Sequence, residues 1–554
     1  MSNRRVISTI VLVLSITIGN AQSVEEIRKA KDLLASQNYE QAALSYQRII
    51  NGNPSNGEYY YHLAECFYKL ERYDDAAMNY LQSFEVGFKY GTCIKKLSMC
   101  FANTGDKEKM LYWLHKGLNT PKSLTFNDIL SIPEFDSFRK SDTFRSLYPK
   151  DSTLSRNKKW EKDILFLKER FERKHYDVFG QVSATEWDSD FKNLIGSIKT
   201  ISDAEILVEL MKITKKIGDG HTFIRPPLSG QFKFHYFPFK LFAFDEGLHV
   251  LETTEKYKET LGWRLTKIEN VPIDEVVETV SQTIPVDNEF GLEERLDYNL
   301  MISEVLYVLG IIDKDKKVVF SFQNDSNESL EIIVEPGTFN PMNMTERLVD
   351  RLKEKPIYLK NENKFFWHQK LEHLNAMYLK ININLSTPDR NIKEYYNEVF
   401  DSISEKKVKN LIIDIRHCPG GNSFNNKTLI QNILTNKSLD KENGIFTIIG
   451  RRTFSAAMNL ATELESWTDT RFIGEPTGSK PNFIGETNFI TLPNSGINVS
   501  ISDAYWQKSN SWDKRNYIAP DIYAPITFQG YIDGKDPSLN AIENIILNKN
   551  NNMH

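Results

Sequence analysis

Asn38-Tyr39 is followed by the alanine pair Ala42-Ala43, and 34 residues later Arg72-Tyr73 is followed by Ala76-Ala77 in the same arrangement. A weaker third copy falls another 34 on, at Asp106-Lys107 with Met110 behind it. A period of this length is one helix-turn-helix unit, whose small paired residues let helices approach closely and whose apolar face is buried only against the next unit. Residues 24–120 therefore read as a short helical solenoid, which supplies a surface and not chemistry. A generic helical bundle is the alternative, and the recurrence in register argues against it.

The full chain has 554 residues, too many for one hydrophobic core. Its net charge of −5 carries no excess of either sign that would recommend a polyanionic partner, so nucleic acid is not expected. Arg4 and Arg5 precede the apolar run Val6 to Ile18 and then Gly19-Asn20-Ala21, the order of a secretory signal, so residues 1–21 are expected to be removed and the protein exported to the periplasm or outside the cell. The run is short for a membrane span, and no stable span is expected after signal removal. The four cysteines, Cys66, Cys93, Cys100 and Cys418, have no metal-binding spacing; no metal or cofactor is expected, and one bridge among the first three is left open.

Beyond a linker over 121–159, apolar residues at helical spacing such as Trp160, Ile164, Leu167 and Phe171 give helices through 160–230. Residues 231–340 alternate apolar and polar as strands do, for example Gly262 to Ile268 and Val318 to Phe322, and could form a PDZ-like module. Over 365–545 the buried-strand runs Leu411 to Ile415, Phe446 to Ile449 and Phe472-Ile473 alternate with helical segments. That alternation implies a mostly parallel sheet with crossover helices and a site beyond the carboxyl ends of its strands.

Four motifs fall in that region or lead into it. Gly218-Asp219-Gly220-His221-Thr222 is a tight turn holding an imidazole at a helix end; alone it would be an ordinary cap with an incidental histidine. Asp414 to Asn422 runs off a strand into Gly420-Gly421, whose freed backbone can present N–H groups to an oxyanion. Gly450 to Met458 places Ser455 at a helix start with the Ala456 N–H beside it; alone, Ser455 would be read as a plain N-cap. Ile473 to Asn482 is a strand exit into a Pro/Gly turn that carries Lys480.

In this order the motifs resemble the peptidase domain of the tail-specific (C-terminal processing) protease and tricorn-core superfamily, over roughly residues 160–545, and the 24–120 segment resembles tetratricopeptide repeats. The resemblance implies a multidomain chain: an α-helical repeat solenoid followed by an α/β domain of the ClpP/crotonase-like fold with the β-rich segment inserted. It implies a serine endopeptidase that forms an acyl-enzyme on Ser455, with Gly420, Gly421 and Ala456 lining the oxyanion hole and peptides or proteins as substrates. The base is His221 by resemblance to one branch and Lys480, 25 residues after Ser455, by resemblance to the other. Chemistry favours His221, because an imidazole near its intrinsic pKa accepts a proton at neutral pH and an amine must first be desolvated. Asp503 is the expected orienting carboxylate, with Glu475 and Glu486 as competitors. His417-Cys418 departs from the family's usual polar pair. A catalytically inactive scaffold that binds partners through the repeats is the rival reading, and a carbonyl-handling enzyme of the crotonase-like fold acting on thioesters is a weaker one, since no phosphate-cradling loop or basic cluster accompanies the glycines.

Overall fold

The computed structural model describes residues 25–118, 120, 123–124, 126–139, 153–314, 317–337 and 344–551, so the expected signal segment lies outside the described residues. The chain divides into two units, residues 1–154 and 155–554.

In the first unit a helix over 25–35 is followed by Tyr39–Gly52, Gly57–Lys69, Tyr73–Glu85, Tyr90–Thr104 and Lys107–Leu118, each packed on the next. Ala42, Ala43, Ala76 and Ala77 are buried, and Met110 takes the equivalent buried place one repeat on. Gly57 shows why small residues recur here: a Cβ at that position would sit 2.5 Å from Val86 Cγ2. Cys66, Cys93 and Cys100 are buried free thiols, so the bridge left open by the sequence is not formed. The expected linker is partly wrong. Residues 126–131 form a helix, and Leu124, Ile129, Ile132 and Phe135 pack on Met110, Leu114 and Leu118, because the last repeat would otherwise expose its apolar face.

The second unit opens with three helices, Arg156–Lys174, Ala184–Ser197 and Asp203–Lys215. An antiparallel sheet follows in the order Phe239–Phe244, Gly247–Thr253, Arg264–Ile268, Val318–Gln323, Ser329–Val334. It carries the helices Ile273–Ser281, Glu289–Asn299 and Ser303–Val308, which the alternation pattern does not announce. The third layer is a six-stranded sheet. From one edge it runs Ile522–Tyr523, Arg471–Gly474, Ile445–Ile449, Asn410–Asp414, Ala376–Ile381, Phe366–Leu371, and all but the last pairing are parallel. Every residue of Asn410–Asp414 and Ile445–Ile449 is buried, as strands covered on both faces require. Leu411 and Ile413 pack under the helices Ile392–Glu405, Asn426–Thr435 and Ala456–Trp467, while Ile412 and Phe446 pack toward the C-terminal helix Pro537–Asn551.

A long hairpin, Asn482–Thr491 with Asn498–Gln507, stands apart from that sheet and pairs with the short strand Phe223–Ile224. It ties the early helical part of the unit to the end of the chain. Among the described residues no helix is long and apolar enough to cross a membrane.

Candidate active site

The loops leaving the central strands are fixed from below by a buried charge network. Lys380 Nζ and the Tyr378 hydroxyl donate to Asp414 at 2.9 and 2.6 Å, and Arg416 bridges Asp414 to Asp536 through paired bonds of 2.9 and 3.0 Å. Burial works against the Asp414 charge, but Arg416 and Lys380 hold its carboxyl well below the ordinary range. The Ile-Asp-Ile-Arg run is thus a staple between a strand end and the C-terminal helix, which Asp536 also caps through the Leu539 N–H. Above it, Cys418 is buried with its thiol 3.7 Å from the Gly420 carbonyl and its pKa pushed up to about 11 by burial, and His417 packs edge-on against Tyr358.

Gly420 and Gly421 have φ of +122° and +142°, a region closed to other residues without strain. A Cβ on Gly420 would lie 2.7 Å from Ser455 Cβ and 3.0 Å from the Ala456 nitrogen, so the glycine loop is pressed against the serine. The Gly420 carbonyl accepts from the Asn384 N–H at 2.9 Å, which turns the Gly421 N–H of the same trans peptide the other way. The two exit loops are knit together: Thr453 Oγ1 donates to the Ile415 carbonyl, the Phe454 N–H to the Cys418 carbonyl, and Asn459 Nδ2 to Ser423 Oγ.

Ser455 stands at the N-cap of helix Ala456–Trp467 with φ +54° and ψ −123°, and its hydroxyl makes no capping bond. The plain N-cap reading fails on this point, because an N-cap serine is favoured for the bond its oxygen accepts. A non-glycine residue in this conformation costs about 1–3 kcal/mol and persists only where its surroundings impose it. The Ala456 N–H is the first of its helix and has no intrahelical acceptor.

His221 is placed by the turn that ends helix Asp203–Lys215. A Ser202–Glu205 capping box starts that helix, and Gly218, at φ +82°, reverses the chain after it. Asp219 then holds the turn: its Oδ1 accepts from the N–H groups of His221 and Thr222, each at 2.8 Å, and from Ser502 Oγ at 2.9 Å. Its Oδ2 accepts from His175 Nε2 at 2.8 Å, and the Asp177 N–H donates to His175 Nδ1, which fixes that tautomer. Burial is the largest single influence and opposes the Asp219 charge, but the His175 bond, the two nearby histidines and Thr222 together outweigh it and keep the carboxyl below its ordinary value.

The His221 ring is buried and stacks on Phe454, with centroids 4.3 Å apart, and on Phe483, 5.4 Å away and 5° from parallel. Neither ring nitrogen has a hydrogen-bond partner. Burial lowers the His221 pKa; Asp287, Asp219 and Glu486 oppose that effect and Arg295 adds to it. The stack places the imidazole on the side chain that precedes Ser455 in the chain, and among the described residues no hydrogen bond joins the imidazole to the serine.

The other expected residues fall differently. Lys480 is half-buried and makes no hydrogen bond or ion pair among the described residues, and none ties it to Ser455. Asp503 does not reach His221: Ser500 and Ser502 turn one face of their strand toward the His221 carbonyl and Asp219, period-two alternation sends Asp503 to the other face, and its charge acts on Lys174. Glu475 is held by Arg451 at 3.0 Å, and of the three carboxylates considered Glu486 is the one whose charge raises the His221 pKa appreciably. Asp287 and Arg295 have no local sequence signal; Asp219 sits inside the quoted motif and was legible there. Behind the exit loops lies a cavity of about 330 Å³, lined among others by Phe242, Leu248, Ile383, Pro419, Arg451 and Arg452.

The structure is a helical-repeat stack followed by a sheet-rich α/β domain. Two solved structures of mature CPAF resemble the chain in fold over about seven tenths of its length. One, complexed with lactacystin, has 13% identity and a TM-score of 0.51 and covers 70% of this chain and 98% of its own. The other has 12% identity and a TM-score of 0.51, over 71% and 98%. A photosystem II D1 C-terminal processing protease aligns at 12% identity over 70% of this chain and 99% of its own, with a TM-score of 0.35. At such identities the likeness to CPAF is one of fold. Residues 27–86 match the tetratricopeptide repeat family. No curated protein sequence matches the chain.

Proposed function

We propose that the chain is an exported serine endopeptidase in which Ser455 is the nucleophile and His221 its base. The observation that carries this reading is Ser455 itself: strained, uncapped, pressed against Gly420 and next to the ring on which His221 stacks. Ser455 Oγ would attack a peptide carbonyl, the neutral imidazole would take its proton, and the N–H groups of Ala456 and Gly421 would hold the oxyanion. Since neither imidazole nitrogen is engaged, the ring can turn to the hydroxyl without breaking a hydrogen bond. Such bonds commonly tighten only once substrate is bound. The repeats would recruit a protein partner or substrate.

The test is digestion of an unbiased peptide mixture by the protein lacking residues 1–21, read by mass spectrometry beside Ser455→Ala and His221→Ala. Hydrolysis by the parent and by neither variant is expected; hydrolysis by Ser455→Ala would end the proposal. Lys480→Met is expected to keep activity, and its loss alone would move the base to Lys480. Because the base must be neutral and burial lowers the His221 pKa, activity is expected to rise with pH through a midpoint below 6.5, the ordinary value for histidine. An acid limb above that value would contradict His221 as base.

Among the described residues no hydrogen bond joins Ser455 Oγ to a base, and that favours a second reading, the inactive scaffold. It predicts no hydrolysis and no labelling of Ser455 by a fluorophosphonate, with the protein folded.

A further inference from the structure

The segment between the two halves of the site reaches His221 directly. Asp287 Oδ1 accepts the Gly220 N–H at 2.8 Å, and its Oδ2 accepts the Ser479 hydroxyl, so one carboxylate joins the His221 turn to the turn before Lys480. Asn288, the next residue, caps helix Glu289–Asn299 through the Gly291 N–H and donates to the carbonyls of Thr477 and Asn516 at 2.9 and 2.7 Å. From the same helix, the Arg295 guanidinium lies 5.0 Å over the Phe454 ring whose centroid is 4.3 Å from His221. A Cβ on Gly220 would approach Arg295 Nη2 to 3.3 Å, so the guanidinium rests against the His221 turn as well as the ring. Arg295 Nη1 is held by the Pro285 carbonyl at 2.6 Å.

We propose that Asp287 and Arg295 are opposed positioning residues for His221: the carboxylate anchors its turn and favours the imidazolium, and the guanidinium stacked through Phe454 favours the neutral ring. The assignment of His221 as base rests on the function proposed above; the opposed charges on the ring do not. Serine hydrolysis needs both tendencies, since the imidazole must be uncharged before it takes the Ser455 proton and stabilised once it has it. The other charged groups facing the ring are Asp219, spent on four hydrogen bonds within its own turn and with His175 and Ser502, and Glu486 on the hairpin strand beside Phe483. The inserted segment is thereby the source of the cation and of one of the three anions among these groups.

The experiment is a pH titration of the His221 ring by NMR in the full-length protein carrying ¹³C-labelled histidine, the resonance identified among ten histidines by its loss in His221→Gln. Asp287→Asn removes an anion and is expected to move the midpoint down; Arg295→Gln removes a cation and is expected to move it up, each by about half a unit to one unit. Arg295→Lys and Asp287→Glu keep the charge and are expected to stay near the parent midpoint, which separates a charge effect from damage to the fold. Where hydrolysis is measured, its acid limb moves with each midpoint. Opposite shifts support the inference even if hydrolysis proves independent of His221, an outcome that would overturn only the base assignment. Shifts of the same sign, or none in variants that melt like the parent, overturn the inference even if hydrolysis depends on His221.

Discussion

Gly420→Ala is expected to lose about 100-fold or more in peptide hydrolysis, the size of effect that follows loss of one oxyanion donor. Two causes act together. The new Cβ would meet Ser455 Cβ at 2.7 Å and the Ala456 nitrogen at 3.0 Å, so the serine and the N–H beside it must shift apart. The residue would also be held at φ +122°, where alanine is strained, at a further cost of about 1–3 kcal/mol in stability. The rate and the unfolding midpoint in urea check the two parts separately. A variant that kept the parental rate would show that this loop does not face the reacting carbonyl.

Arg416→Met is expected to destabilise the second unit by about 3–5 kcal/mol, because it leaves buried Asp536 without its cation and buried Asp414 with Lys380 as its remaining one. Asp414 is fully buried and Asp536 is nearly so, and Arg416 is their shared partner. Urea unfolding followed by tryptophan fluorescence measures the loss, and adding Asp536→Asn is expected to recover part of it. The sign with pH is fixed by the depressed Asp414 carboxyl: its contribution is present above the ordinary carboxylate pKa and is lost as pH falls toward the folded value. Removing Arg416 raises the folded value, so that contribution becomes smaller and its loss is complete at higher pH.

Local order was readable from the sequence wherever a residue's role depends on its neighbours in the chain. The 34-residue recurrence gave the repeat helices, and the run Leu411 to Ile415 gave a buried central strand observed at Asn410–Asp414. The turn at Gly420 and the helix start at Ser455 were legible because a strand exit followed by glycines or a helix start is a local event. Asp287, the carboxylate that bonds to the His221 turn, was not. Asp503 looked right by its place in the order of motifs, but one-residue parity on a strand decides which face it serves, and the hairpin register that sets this parity is a long-range property. Asp287 reaches His221 only through a fold contact between segments far apart in sequence, with no periodicity to betray it. The linker reading failed for a related reason: Leu124, Ile129, Ile132 and Phe135 are apolar at irregular spacing and make sense only as a cover for the last repeat.

The turn that carries His221 is closed by Ser500 and Ser502, which bond to the His221 carbonyl and to Asp219, and by Tyr176, whose N–H reaches the Ser502 carbonyl. Those partners come from opposite ends of the second unit. A ribosome making this chain in order must release residue 502 before the histidine can be set in place, long after both the histidine and the serine have been synthesised. On the function proposed above, a nascent chain, or one ended before residue 502, would lack the closed histidine turn, and the order of synthesis would delay the onset of activity until the hairpin strand has folded.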